Sequence, residues 1–399
     1  MNFSKLSYDL TSKLSKLEKK NEGIFFTPSN TVIDNIKLIK KIYPDIKNIL
    51  EPSCGSGEFI TELSKEFPEA TIKGVENNKI IYNGIKHLSK GNITIINKDF
   101  LSYNEKLEYD LIIGNPPYFV ISKKIVDKKY HGFFDGRPNI FILFIIKCIQ
   151  MLKKDGILSF ILPKSFINCL YYDKTREFIN DNMTIIDISY CKDKYIETEQ
   201  DTIRFIIQNR KPEKQSEFSL KLHDYILFGT IEDIKTLKEL LKNSKNLAEL
   251  GFTVNVGTVV WNQCKDILTS DNTKTRLIYS SDIKDGKLIL KHYSNEEKKN
   301  YINKKGQNNP LLVINRGWGV GDYNFEYCLI EGNIEYLIEN HLICINYTKE
   351  ITNEKLIEMY KKIIKSFENK NTSKFIELYF GNGAINTSEL NYIIPIYDF

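Results

Sequence analysis

The sequence predicts an α/β fold: a seven-stranded mixed sheet covered by helices on both faces, followed by a second domain that is also mixed α/β. Between Asn48 and Arg210 short apolar strands alternate with amphipathic helical stretches, and after Arg210 that alternation stops. Length agrees, because 399 residues with 42% hydrophobic and 12% aromatic side chains can bury more than one core. The polar run "KPEKQSE" marks the boundary, which divides the chain into 1–210 and 211–399.

Strands are expected in order at "KNILEPS", "ATIKGVE", "NITIINK", "YDLIIGN", "GILSFILP", "TIIDISY" and "TIRFIIQN", each a short run rich in Ile and other apolar residues. Helices are expected at 57–66, 78–89, 138–153 and 172–181, the third opened by Pro138 and closed by "KKDG". Residues 119–137, "FVISKKIVDKKYHGFFDGR", read as a long basic and aromatic loop, of the kind that is either disordered or functional. Beyond the boundary, short strands and helices are separated by turns such as "DG", "NRGWGVGDYN" and "FGNGAIN".

Composition narrows the function. The net charge of +5 is a lysine excess spread along the chain, which permits a nucleic-acid partner without requiring one. Seven scattered cysteines form no CxxC pair and no metal-ligand spacing, so a reducing compartment is expected and no metal site is. The strongest apolar run, "NIFILFIIKCIQML", is too short to span a bilayer and carries Lys147, and the first twenty residues lack the apolar centre of a secretory signal. A cytoplasmic protein of prokaryotic or phage-like origin, without a membrane association, is the expectation.

Chemistry concentrates at the ends of the expected strands. In "ILEPSCGSGEFITEL" a strand runs through Glu51 into a glycine-rich turn and then a helix, where Gly55 and Gly57 let backbone approach a ligand. The next strand ends at Glu76, where an acid in a dinucleotide-type fold takes ribose hydroxyls. The third is followed by Asp99 and Phe100, an acid and a ring suited to the amino group and face of an adenine. The fourth, "DLIIGNPPYFV", breaks into two prolines, and because proline fixes its own backbone and pushes the preceding residue toward extended geometry, Asn115-Pro116-Pro117-Tyr118 must leave the strand as a stiff loop.

The ordered set "FFTPSNTVIDNI", "EPSCGSGEF", "GVE", "KDF", "NPPY" and "LKKDGILSFILPKSF", spanning residues 23 to 210, resembles the gamma group of S-adenosylmethionine-dependent amino-methyltransferases that act on DNA adenine. That resemblance implies a Rossmann-like methyltransferase domain over 1–210, S-adenosylmethionine as cofactor and double-stranded DNA as substrate. It implies that Thr27 and Pro28 lie over the methionine end of the cofactor, and that Glu51, Pro52, Cys54, Gly55, Gly57 and Phe59 contact it from the turn. It further places Glu76 on the ribose, Asp99 and Phe100 on the adenine with Phe144 as a second wall, and Asn115 and Pro117 against the cofactor from the target side. Cys54 is read as packing rather than catalysis.

The stiff loop then has a purpose. The exocyclic amine of adenine is a poor nucleophile because its lone pair is delocalised into the ring, so two acceptors must hold its two N–H groups: the Asn115 side-chain oxygen and the Pro116 carbonyl. Tyr118 is expected to stack on a base extruded from the duplex, since the target nitrogen is out of reach within the stack. The family places a second aromatic on the other face; here the aligned position is Ile196, with Tyr195 beside it.

Residues 211–399 carry no chemical motif and stand where this group carries its DNA target-recognition domain; Trp261, Arg316, Trp318 and Tyr323 are its candidate DNA contacts. A monomer is expected, with a cognate restriction endonuclease as a candidate partner. Cytosine-C5 methylation is disfavoured, since it needs a cysteine nucleophile that usually follows proline and no Pro-Cys pair exists. Cytosine-N4, RNA and protein-glutamine amino methylation stay as rivals.

Overall fold

The computed structural model describes residues 3–317, 325–380 and 384–399 and divides into two compact units, Met1–Ile234 and Lys235–Phe399. The first is built on a sheet of seven strands: β1 (Asn48–Glu51), β2 (Thr71–Glu76), β3 (Ile93–Asn97), β4 (Tyr109–Gly114), β5 (Leu152–Pro163), β6 (Thr184–Tyr190) and β7 (Thr202–Gln208). Their order is β3-β2-β1-β4-β5-β7-β6. The five strands from β3 to β5 run parallel and β7 is antiparallel to both its neighbours. All seven expected strands are present.

Strands buried on both faces need helices on both sides, and the chain supplies them. On one face lie α3 (Ser29–Ile42), α4 (Glu58–Glu66) and α5 (Lys79–Ile85), preceded by α1 (Lys5–Lys13) and α2 (Lys16–Glu22). Their apolar stripes, such as Val32, Ile36 and Ile39 of α3, share a core with Ile49, Ile72 and Leu111 of the sheet. On the other face lie α6 (Ile140–Gln150) and α7 (Asp173–Asn182). Nine of the eleven residues of α6 are buried, including Lys147, which explains its nearly unbroken apolar sequence. The Lys147 ammonium donates to the carbonyls of Phe100 (2.6 Å), Leu101 (3.0 Å) and Tyr103, so a lysine that interrupts the apolar run is the clamp on the turn after β3.

Two sequence expectations need correction, and the long loop takes an ordered form. "KKDG" does not close α6; it lies inside β5, where Asp155 takes a positive φ of 63° and pairing with β4 shifts register. Residues 119–137 are an ordered excursion of two short 3-10 helices, with Val126, Tyr130 and Phe134 packed on Leu143 and Ile146 of α6. Finally, the compact unit extends past Arg210 because the hairpin of β8 (Ser219–Leu222) and β9 (Tyr225–Phe228) puts Ile226 and Phe228 into the first core. Buried Arg176 of α7 fixes that hairpin by donating from Nε to the Ile226 carbonyl.

The second unit contains two four-stranded sheets. One orders the strands Phe252–Val256, Leu342–Tyr347, Leu311–Asn315 and Tyr327–Ile330, all antiparallel. The other orders Leu268–Thr269, Tyr301–Ile302, Thr275–Ile278 and Tyr336–Ile338. Helices Asn353–Phe367, Lys370–Tyr379 and Thr387–Tyr392 follow.

Candidate active site

The strand order reverses between β1 and β4, and in an open α/β sheet a ligand crevice forms at that switch, at the carboxyl ends of the strands. A cleft opens there, and the ends of all four relevant strands reach it through Glu51, Glu76, Asp99 and Asn115. After β1 the chain turns through Gly55 (φ 52°) and Gly57 (φ 77°) into α4, and the backbone N–H of Gly55 donates to Glu76 Oε2 at 2.9 Å. Asn78 donates its N–H to the other oxygen of Glu76 at 2.7 Å.

Two buried carboxyl groups thus share one wall. Burial pushes the Glu76 carboxyl up to about 7 although two backbone N–H groups hold its charged form. Burial also raises Glu51 well above the usual carboxylate range, and the neighbouring Glu76 adds to the rise. Glu51 Oε2 has no hydrogen-bond partner. Leaving a buried oxygen unpaired costs about 1–3 kcal/mol, so a partner arriving with the ligand is the natural completion.

The adenine end of the cleft is apolar. Phe100 and Phe144 pack with ring centroids 5.0 Å apart, and both line the cleft with Asp99, whose carboxylate accepts from the N–H groups of Leu101 and Ser102. Thr27, Pro52, Cys54, Gly55, Phe59 and Pro117 also line it. Cys54 is buried, and a Cβ on Gly74 would lie 2.4 Å from its Sγ, so it fills space against β2. Pro28 and Gly57 are not among the lining residues. Pro28 is the N-cap of α3, and Gly57 is needed for its backbone and its closeness to Leu88, whose Cδ1 would be 2.6 Å from a Cβ there.

At the mouth of β4 the Asn115 amide is held in one orientation. Its Nδ2 donates to Thr27 Oγ1 at 3.0 Å and to the Phe25 carbonyl at 3.4 Å, so Oδ1 is turned the other way, toward the Tyr118 hydroxyl. That hydroxyl also reaches the Ile161 carbonyl at 2.7 Å, and the ring meets Phe141 edge-on. Pro116 is buried beneath the loop. Of the two candidates for the opposite wall, Tyr195 is buried with its hydroxyl beside Asn115 and Thr202, whereas Ile196 is 37% exposed in a small hollow with Ile24, Phe25 and Phe26.

Among the lining residues that the sequence reading did not single out, some, such as Ser53, Ser56, Asn77, Asn78 and Lys98, come from the turns at the strand ends; others form one continuous stretch, Glu22 to Phe26. A signal was there: Ser15-Lys16-Leu17-Glu18 is a capping box, both halves of which form, and Gly23 ends the helix in the left-handed conformation. In the second unit Trp261 is half-buried against Val259, Leu277 and Tyr279, with Lys265 and Lys298 over its ring. Arg316 is exposed and its carbonyl accepts from Ile385, while Trp318 and Tyr323 lie outside the described residues. Among the described residues no group of His, Cys, Asp or Glu could hold a metal ion, and no helix is long and apolar enough to cross a membrane.

The strand order, the glycine turn and the acids at successive strand ends define the first unit as that of an S-adenosylmethionine-dependent methyltransferase. Residues 6–196 match the family described as Eco57I restriction-modification methylase. The chain is 29% identical to the type II methyltransferase M.CvrRI of Paramecium bursaria Chlorella virus XZ-6E over 396 residues, 96% of each chain. It is 38% identical to the modification methylase CviBIII of Paramecium bursaria Chlorella virus NC1A over 181 residues, 44% of this chain and 47% of that one. In fold it is similar to a structure of a DrdV–DNA complex, with a TM-score of 0.52 at 12% identity over 98% of this chain and 57% of the other.

Proposed function

We propose that the protein transfers a methyl group from S-adenosylmethionine to the N6 amino group of adenine within a short duplex DNA sequence. The observation that carries this reading is the fixed orientation of the Asn115 amide, which keeps an acceptor oxygen, not a donor, available at the end of β4. An oxygen has two lone pairs, so Oδ1 can accept an adenine N–H while it still accepts from Tyr118.

The residues present fit the cofactor. Glu51 Oε2, buried and unpaired, suits its ammonium group; Glu76 suits the ribose hydroxyls; Phe100 and Phe144, packed on each other, offer the base an apolar wall. When bound, S-adenosylmethionine supplies the electrophilic methyl group. What the chain adds is position: Asn115 Oδ1 and the Pro116 carbonyl would accept hydrogen bonds from the two amino N–H groups and bring the nitrogen lone pair out of conjugation. The diproline makes that arrangement rigid before the substrate arrives. After transfer the surplus proton leaves the nitrogen for solvent, so no general base is required. Tyr118, bonded to Asn115, and Tyr195, buried near it, are the rings we assign to the walls of a base turned out of the helix.

We assign target recognition to the second unit, Lys235–Phe399, with Trp261, Arg316, Trp318 and Tyr323 among the candidate contacts. The enzyme acts as a monomer in the cytoplasm, with a restriction endonuclease as its candidate partner. The test is transfer of tritium from labelled S-adenosylmethionine to unmethylated genomic DNA, with RNA and protein extract in parallel, followed by nucleoside analysis. Label as N6-methyladenine at one short sequence supports the reading; label in N4-methylcytosine, RNA or protein alone overturns the substrate.

A further inference from the structure

The segment 191–201 between β6 and β7 has no regular secondary structure, yet it carries Tyr195, which is buried beside Asn115. A side chain buried on an irregular segment needs anchors in its neighbours, and there are two. Lys19 of α2 is 6% exposed; its ammonium donates to Glu197 Oε1 at 2.7 Å and to the Thr11 carbonyl at 3.1 Å. Thr31 of α3 donates to Asp193 Oδ2 at 2.8 Å. Tyr195 therefore lies between two residues, each gripped by a different N-terminal helix.

The cap of α2 and the link to α3 also touch the catalytic loop. The carbonyl of Lys19 accepts from Ile24 in the α2 cap, and at the cap residue Gly23 (φ 63°) a Cβ would be 2.7 Å from the backbone nitrogen of Tyr118. Two residues further on, Phe25 accepts from the Asn115 amide through its carbonyl. One continuous piece of chain, 19–31, thus fixes Tyr195, Asn115 and Tyr118 together.

Resting on the proposed reaction, we infer that Lys19 is a positioning residue: through Glu197 it sets Tyr195 as a wall of the target-base site. A charge nearly out of water at the end of a flexible side chain serves for this because, once paired, it has no alternative partner of comparable strength. Lys19 does not line the cofactor cleft, so its loss should be felt by the target base and not by the cofactor.

The experiment uses the full chain with Lys19→Met, Glu197→Gln, the double variant and Lys19→Arg. Expected for each single variant is a fall in kcat of about 100-fold, the scale on which a 1 Å misplacement near reacting atoms is felt. KM for S-adenosylmethionine should be unchanged, the double variant no worse than either single one, and Lys19→Arg substantially active. A 2-aminopurine placed at the methylated position of the wild-type target should lose its extrusion signal in Lys19→Met. Backbone hydrogen exchange should speed up over 191–201 in Lys19→Met while the central strands stay protected. Wild-type kcat with unchanged exchange over 191–201 in Lys19→Met would overturn the inference, as would a parallel loss of cofactor affinity. If the wild type fails to methylate DNA, the proposed reaction falls, and the exchange measurement still decides whether the latch exists.

Discussion

The two units bury acidic side chains in opposite ways. In the second unit Asp282 is fully buried, accepts from the Tyr279 backbone N–H and the Tyr293 hydroxyl, and has the Arg276 guanidinium 3.6 Å away. Glu339 there is equally buried and accepts from the backbone N–H of His341 and from its ring at 2.6 Å. In the first unit Glu51 is as deeply buried and one of its oxygens accepts nothing. The fully partnered Asp282 and Glu339 serve as scaffolding, whereas the bare oxygen of Glu51 is free to take a partner from a ligand.

The largest expected effect lies in the cleft. Asn115→Ala should lower kcat by about 1,000-fold, the upper range for removing one preorganised group at a developing charge, while DNA affinity in a filter-binding assay is kept. Surviving turnover would remove Asn115 from the mechanism. Asp282→Ala should instead cost about 3 kcal/mol of stability in chemical denaturation, as removal of one partner of a buried pair does, and leave transfer by the folded fraction intact. Glu51→Gln is the converse: cofactor affinity should drop about 10-fold, the worth of one charge-assisted hydrogen bond, with the thermal midpoint of the cofactor-free protein held or raised. If Glu51→Gln melted the protein as Asp282→Ala does, the contrast between the units would collapse.

The pH dependence sharpens the contrast further. The Glu76 carboxyl sits at about 7, raised by burial, so in the folded protein it takes up a proton as pH falls through that value. A ribose diol donates to the carboxylate form, so cofactor affinity should rise by up to about tenfold per pH unit below 7 and level off above it. For stability the sign is reversed: the folded state binds the extra proton, and stability declines as pH rises from the ordinary glutamate range through 7. Glu76→Gln should flatten both dependences, read by calorimetric titration with S-adenosylhomocysteine. The smallest effect belongs to Cys54→Ala, which should cost about 1 kcal/mol of stability and leave kcat untouched.

Much of the first unit was legible in the sequence because parallel strands buried on both faces must be short, continuous apolar runs, and because a ligand crevice at strand ends puts Glu51, Glu76, Asp99 and Asn115 at predictable places. The N-terminal helices were less so. "SKLSKLEKK" places most of its lysines on solvent, and the one that is buried, Lys19, is indistinguishable in sequence from Lys16 or Lys20. The β8–β9 hairpin was hidden by the polar run before it, and its turn depends on His223 at a φ of 53°, a conformation that glycine or asparagine would have announced. Tyr195 could not be separated from Ile196 by alignment, since one residue's difference in an irregular segment reverses which side chain is buried.

The Tyr118 hydroxyl has one hydrogen and two carbonyl oxygens within reach, Asn115 Oδ1 and the Ile161 backbone. Transfer to an amine replaces one of its two N–H donors with a methyl group, so the product comes away from the acceptors with one fewer hydrogen bond than the substrate had. On the proposed reaction the Tyr118 hydroxyl, within reach of Asn115 Oδ1, would keep that acceptor partnered once the product has gone. If Tyr118 walls the base as proposed, the same tyrosine would also ease the product's departure, which suits a protein that must leave each site once it is marked.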